Sequence, residues 1–139
     1  MRTIIQKVDL DTCLAALMLG VDGETEVVVA QGGASAEELR MPDVLCIEAG
    51  GSGEVHLNNF DHHDPARYLP PACRQVLDLR GITDDGLVRL TRYVSMVDEA
   101  IPITEPIPFP SLSGLFSGMR LVETEVPGQL YRGLDILAR

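Results

Sequence analysis

The length, composition and charge of this 139-residue chain exclude several classes of protein. An apolar share of 45% and a charged share of 23% are typical of one globular domain, and no apolar run is long enough for a membrane span. A formal charge of −10 repels the phosphate backbone, so strong passive binding of nucleic acid is not expected. The three cysteines form no Cys-x-x-Cys pair, which excludes a zinc ribbon and predicts reduced thiols in a soluble, cytoplasmic protein.

The first half of the chain alternates short apolar runs with segments of helical character. Strands are predicted at roughly residues 3–8, 26–30, 44–48 and 55–61. A helix is predicted over Cys13–Leu19, with Asp11 or Thr12 as its N-cap, and a shorter helix begins at Ser35. This order predicts an α/β fold with a mainly parallel sheet flanked by helices.

The second half of the chain is predicted to be helical. Apolar spacing indicates helices over residues 72–79 and 84–97, and four prolines make residues 101–110 extended. We therefore predict an α/β domain over residues 1–103 and a proline-rich arm with C-terminal helices over residues 104–139. The apolar helical segments at 112–119 and 130–137 are expected to pack on the same domain or on a partner chain, and a homodimer is one expectation.

Acidic residues follow three of the four predicted strands, and two adjacent histidines follow the last. Ligands of open α/β sheets bind at the carboxyl ends of the strands, where these side chains would gather. Imidazole beside carboxylate suits manganese, iron or zinc, and an aspartate next to a histidine can fix the ring tautomer that binds metal. The alternative interpretation is that the acids are helix caps and the histidines are solvated.

The acidic and histidine motifs also occur in a recognisable order. Asp9-x-Asp11 follows the first strand, Glu48 ends a later one, and then come Asp61-His62-His63 and Asp98, which precedes a short apolar-proline segment. This order resembles the DHH phosphoesterase superfamily over residues 3 to about 103. The superfamily includes RecJ-type exonucleases, oligoribonucleases, cyclic-dinucleotide phosphodiesterases and manganese-dependent inorganic pyrophosphatases.

The resemblance implies a hydrolase with one or two Mn²⁺ or Mg²⁺ ions. Its metal ligands would be Asp9, Asp11, Glu48, His62 and Asp98. Asp61 and His63 would be the catalytic residues, with Asp61 positioning the segment and His63 contacting a phosphate oxygen of the substrate. The implied activity is that of a phosphoesterase or phosphodiesterase on a small nucleotide or oligonucleotide phosphate.

Three departures from the family pattern leave a second interpretation open. No histidine shortly precedes Asp9, and Lys7 offers a positive charge there, which favours one metal over two. Glu48 stands where the family has aspartate, and the smaller DHH-associated domain that grips the substrate is missing. The chain is therefore expected to be a phosphoesterase with weakened catalysis or a catalytically degenerate module that binds metal or nucleotide.

Overall fold

Four short strands form a single parallel sheet in the order β2-β1-β3-β4. The computed structural model describes residues 1–104, 106 and 111–139, so the proline-rich arm lies partly outside the described residues. The strands are β1 (Arg2–Ile5), β2 (Glu26–Val29), β3 (Val44–Ile47) and β4 (Asn59–Phe60). The sheet and the helices beside it confirm the predicted α/β class, which follows from short apolar runs alternating with helical segments.

Five α-helices accompany the sheet in the described part of the chain. They are α1 (Leu10–Leu19), α2 (Ala72–Arg80), α3 (Asp85–Asp98), α4 (Leu112–Val122) and α5 (Val126–Leu137). Helix α1 packs against α2, α3 and α5, and α5 also contacts β2. None of the described helices combines the length and apolar character that a membrane crossing requires.

The two faces of the sheet bury two separate sets of apolar side chains, because successive residues of a strand point to opposite sides. Ile5 belongs to the main core together with residues of all five helices, whereas Ile4 packs with Cys46 and Leu39 in a smaller cluster. The helices therefore cover one face, and loop residues cover the other.

Two details of the sequence prediction were wrong. Residues 55–61 are not one strand: Val55–Leu57 forms a single 3-10 turn, and Asn58, at a φ of 59°, ends that turn before β4. Helix α1 begins at Leu10 rather than Cys13, and its N-cap is Asp9, whose side chain accepts the backbone N–H of Thr12 at 3.0 Å. Asp11 is thereby left for another role.

The C-terminal helices contribute to the main core of the same chain. Phe116, Leu130 and Leu134 are buried there. A Cβ atom at Gly133 would lie 2.5 Å from Sγ of Cys13, so α5 can approach α1 this closely only with glycine at that position. Leu121 remains exposed, and self-association stays a prediction.

Candidate metal centre

Four side chains from distant parts of the sequence converge at the carboxyl edge of the sheet. The four residues are Asp11, Glu48, His62 and Asp98. Each offers one ligand atom, and these four atoms all lie within 4.8 Å of one another. Glu48 directly follows β3, and one residue separates His62 from the end of β4. The parallel pairing of these two strands therefore brings the side chains of Glu48 and His62 together. An overlapping group of Glu48, His62 and His63 shares two of these residues. The structure therefore places acidic and histidine side chains where they can hold a metal ion.

Glu48 reaches the cluster through an unusual backbone conformation. Its φ of 48° lies in the left-handed region, which costs a residue with a Cβ atom roughly 1–2 kcal/mol. The surroundings hold it there: its N–H donates to the carbonyl of Phe60 at 2.8 Å, and its Oε2 accepts the Thr12 hydroxyl at 2.6 Å. Strained, buried residues of this kind concentrate at functional sites.

Three atoms of the cluster are buried without a hydrogen-bond partner among the described residues: Glu48 Oε1, His62 Nε2 and Asp98 Oδ2. The imidazole nitrogen lies 3.4 Å from the glutamate oxygen and 3.1 Å from the aspartate oxygen, but neither contact has hydrogen-bond geometry. Buried polar atoms normally have a hydrogen-bond partner, and the binding of an ion is one recognised reason for exceptions. The donor set also fits a divalent metal ion, because carboxylates and imidazoles are common metal ligands.

Asp11 is fixed in the cluster by the start of α2. Its two oxygens accept the backbone N–H groups of Ala72 at 2.8 Å and Cys73 at 2.7 Å. Burial, and then the negative charge of Glu48, raise the pKa of Asp11 to about 7. Each carboxylate oxygen has a second lone pair, so these hydrogen bonds orient Asp11 and leave it able to coordinate a cation.

The remaining charges show how the cluster is balanced without a metal. The neighbouring Glu48 carboxylate raises the pKa of His62 to about 9, although burial opposes this, and Asp98 also favours the charged ring. Burial raises the pKa of Asp98 as well. The imidazolium form of His62 therefore offsets part of the negative charge, and a cation at this position would displace its proton.

Asp9 and Lys7 lie beside the cluster. One oxygen of Asp9 accepts the Thr12 N–H, and the other is 3.0 Å from Nζ of Lys7. Burial raises the pKa of Asp9, but the Thr12 N–H and the Lys7 ammonium outweigh it, so the net shift is downward. Asp9 also lines a cavity that Asp11 and Asp98 share. The two aspartates of the Asp-x-Asp motif thus have different surroundings.

Asp61 acts as an acceptor for two loops. It receives the N–H groups of Gly50 at 3.2 Å, Gly51 at 2.9 Å and His63 at 2.9 Å, and its Oδ1 lies 2.8 Å from Nδ1 of His63. Burial opposes its ionisation, but these donors hold the pKa of Asp61 below its ordinary value. A carboxylate acceptor at this position favours the His63 tautomer that has its proton on Nδ1, which leaves Nε2 as the nitrogen able to contact a ligand.

We expect Asp61→Asn to lower the free energy of unfolding by about 1–3 kcal/mol, because an amide NH₂ would face N–H donors that are then left without an acceptor. Urea denaturation measures this loss. Asp78→Asn is the matched control. The Asp78 side chain forms an exposed ion pair with Arg74, so this substitution should change the free energy of unfolding by less than about 0.5 kcal/mol. Equal stability of both variants and the wild type would contradict this positioning role.

One residue of the site was not anticipated from the sequence. Thr12 is fully buried and donates its hydroxyl to Glu48, which orients that carboxylate. A hydroxyl directly after Asp-x-Asp at the start of an apolar helix was the available signal, but it was interpreted only as a possible helix cap.

Comparison with family models, with curated proteins and with solved structures finds no match to this chain. The chemistry of the site is therefore inferred from its own residues.

Proposed function

We propose that this protein is a divalent-metal-dependent phosphoesterase that acts on a small nucleotide or oligonucleotide phosphate with weakened catalysis. One observation carries the proposal: ligand atoms of Asp11, Glu48, His62 and Asp98 converge, and three of them are buried without a hydrogen-bond partner among the described residues. The motif order that resembles the DHH superfamily supports a phosphoryl substrate.

The proposed cofactor is one Mn²⁺ ion, with Mg²⁺ as the weaker competitor, because an imidazole ligand suits manganese better than magnesium. Asp11, Glu48, His62 and Asp98 would hold the ion. When bound, such an ion polarises a phosphoryl oxygen and lowers the pKa of a coordinated water.

The other residues would bind and orient the substrate. Asp61 fixes the ring of His63, whose side chain is 53% exposed and whose Nε2 is available to a phosphate oxygen. Lys7 bears on the number of ions, because its ammonium pairs with Asp9 and interacts favourably with Glu48 and Asp98. A positive charge in that place disfavours a second cation, and two-metal phosphoryl transfer needs ions about 3.5–4 Å apart. We therefore expect slow turnover.

A degenerate module that binds metal or nucleotide without turnover is the second candidate. The observation that favours it is the position of Asp9, which lies outside both groups of ligand atoms found among the described residues and has the Lys7 ammonium 3.0 Å from its Oδ2. Hydrolysis separates the two candidates, since both predict metal binding.

The test combines metal content with hydrolysis. Protein purified without a metal-affinity tag should contain close to one manganese per chain by elemental analysis, and Mn²⁺ should support slow hydrolysis of bis(p-nitrophenyl) phosphate or a short oligoribonucleotide. Asp98→Asn should lose about 10- to 100-fold in metal affinity, whereas Asp78→Asn, on an exposed surface, should keep it. Lys7→Ala should still bind the ion.

Hydrolysis that is unaffected by chelators, or by Asp98→Asn, would contradict a metal-dependent phosphoesterase. Metal binding without hydrolysis of either substrate would favour the module. Rapid Mn²⁺-dependent turnover would contradict the weakened catalysis.

A further inference from the structure

A cavity of about 250 Å³ adjoins the proposed metal centre on the side of the C-terminal helix α4. Asp11 and Asp98, two of the proposed ligands, line it together with Asp9. The polar residues that α4 adds to its lining are Ser113, Ser117 and Arg120. A ligand in this cavity would therefore touch the metal centre and α4 at once.

The face that α4 presents to the cavity follows from its helical spacing. Ser113, Ser117 and Arg120 are four and three residues apart, so they lie on one side of the helix. Phe116 on the same side is buried in the main core, and the Tyr93 hydroxyl of α3 donates to Oγ of Ser113 at 3.4 Å. Both contacts fix the rotation of α4, and the two small serines leave the space that the cavity occupies.

Arg120 provides the positive charge in this otherwise acidic cavity. Its side chain is exposed and makes no ion pair within residues 1–104, 106 and 111–139, although Asp9, Asp11 and Asp98 line the same space. A guanidinium group binds phosphate through two parallel hydrogen bonds. The carboxylates would repel an anion, and a bound divalent cation would reverse that repulsion.

We propose that Arg120 is a substrate-binding residue, and that the cavity holds the phosphate group of a small phosphomonoester between the metal ion and this guanidinium. The inference rests on the proposed metal-dependent function and names its substrate class. Pockets for larger ligands have volumes of roughly 300–1,000 Å³, so a cavity of about 250 Å³ favours a mononucleotide or smaller ester over an extended oligonucleotide. Helix α4 would thus contribute a residue that binds the substrate phosphate.

Methyl phosphate binding to the Mn²⁺-loaded protein tests this role by isothermal titration calorimetry. Arg120→Gln should weaken binding by about 10- to 100-fold, because it removes charge-assisted hydrogen bonds. Arg92→Gln is the matched control: Arg92 is an exposed arginine that lines a different cavity on α3, and its substitution should change affinity by less than about twofold. The metal-free protein should bind at least about tenfold more weakly than the loaded protein, because its carboxylates repel the anion.

The stabilisation by Mn²⁺ is measured for each variant, so that the two proposals can fail separately. Arg120→Gln should retain it, since Arg120 is not among the proposed metal ligands. If Mn²⁺ stabilises the wild type but methyl phosphate does not bind, or binds Arg120→Gln equally well, the role of Arg120 is refuted and the metal centre stands. Equal binding with and without Mn²⁺ also refutes it. If no divalent metal stabilises the wild type, the proposed function fails first.

Discussion

Adding Mn²⁺ should raise the melting temperature of the wild-type protein by roughly 10 °C when free Mn²⁺ is about 100 times its Kd. A ligand that binds only the folded state adds about 2.7 kcal/mol at that concentration, and the unfolding entropy of a 139-residue domain converts this into the temperature shift. The unfolded chain has no such site, because the four ligands come from segments as far apart as Asp11 and Asp98. Differential scanning calorimetry with and without Mn²⁺ measures the shift.

His62→Ala should abolish most of that gain, because the imidazole supplies the one nitrogen ligand of the four-residue group. His56→Ala is a matched control, since it removes the same side chain at a position outside the ligand groups. The His56 side chain is 70% exposed and its Nδ1 lies 3.6 Å from a carboxylate oxygen of Glu54. Lys7→Ala should also keep the gain, because an ammonium group cannot coordinate a cation.

Two outcomes would contradict this prediction. A melting temperature that is indifferent to every divalent metal would refute the centre itself. A gain that persists in full in His62→Ala would show that the ion binds elsewhere on this acidic chain.

The stability that His62 contributes to the metal-free protein should disappear as the pH rises from about 6.5 to about 9. Glu48 chiefly raises the folded-state pKa of His62 from 6.5 to about 9, so the folded state retains a proton that the unfolded chain releases. The contribution is complete below pH 6.5 and lost above pH 9. The stability that Asp11 contributes should also fall as the pH rises, over a lower pH range, because burial raises its pKa from 3.8 to about 7.

Melting curves in the presence of a chelator measure this dependence for the wild type and His62→Ala. The wild type should be the more stable protein near pH 6, and the difference should shrink steadily toward pH 9. His56→Ala should follow the wild type throughout, since the His56 side chain is 70% exposed and belongs to neither group of ligand atoms. A difference between the wild type and His62→Ala that is constant, or grows with pH, would contradict the ion pairing of His62 with its carboxylate neighbours.

Mn²⁺ should reverse this pH dependence of stability, because an imidazole that coordinates a metal ion must be neutral. The apparent affinity for Mn²⁺ should rise by up to roughly tenfold per pH unit below pH 9 as the competing proton on His62 is lost. The added stability at a fixed Mn²⁺ concentration should therefore be larger at pH 8 than at pH 6. A calorimetric titration at these two pH values is the direct measurement.

The sequence alone determined the fold class and the candidates for the ligand set. Short apolar runs such as Val44–Ile47 are buried on both faces of a parallel sheet, and helix ends such as Gly20 and Gly81 are encoded by neighbouring residues. The acids and histidines that follow the strands marked the site, because parallel strands bring their carboxyl ends to one edge.

The tertiary structure alone decided which of these residues act together. Asp9 and Asp11 are equivalent in the motif, but α1 begins between them and turns by about 100° per residue, so one caps the helix while the other faces Glu48. The left-handed turn at Glu48 depends on contacts with Phe60 and Thr12, which no local pattern encodes. Arg120 lines the same cavity as Asp9 because Phe116, on the same helix, is buried in the main core and holds α4 in place. Contacts between residues more than a hundred positions apart arise from packing, and the spacing of residues along the chain does not record them.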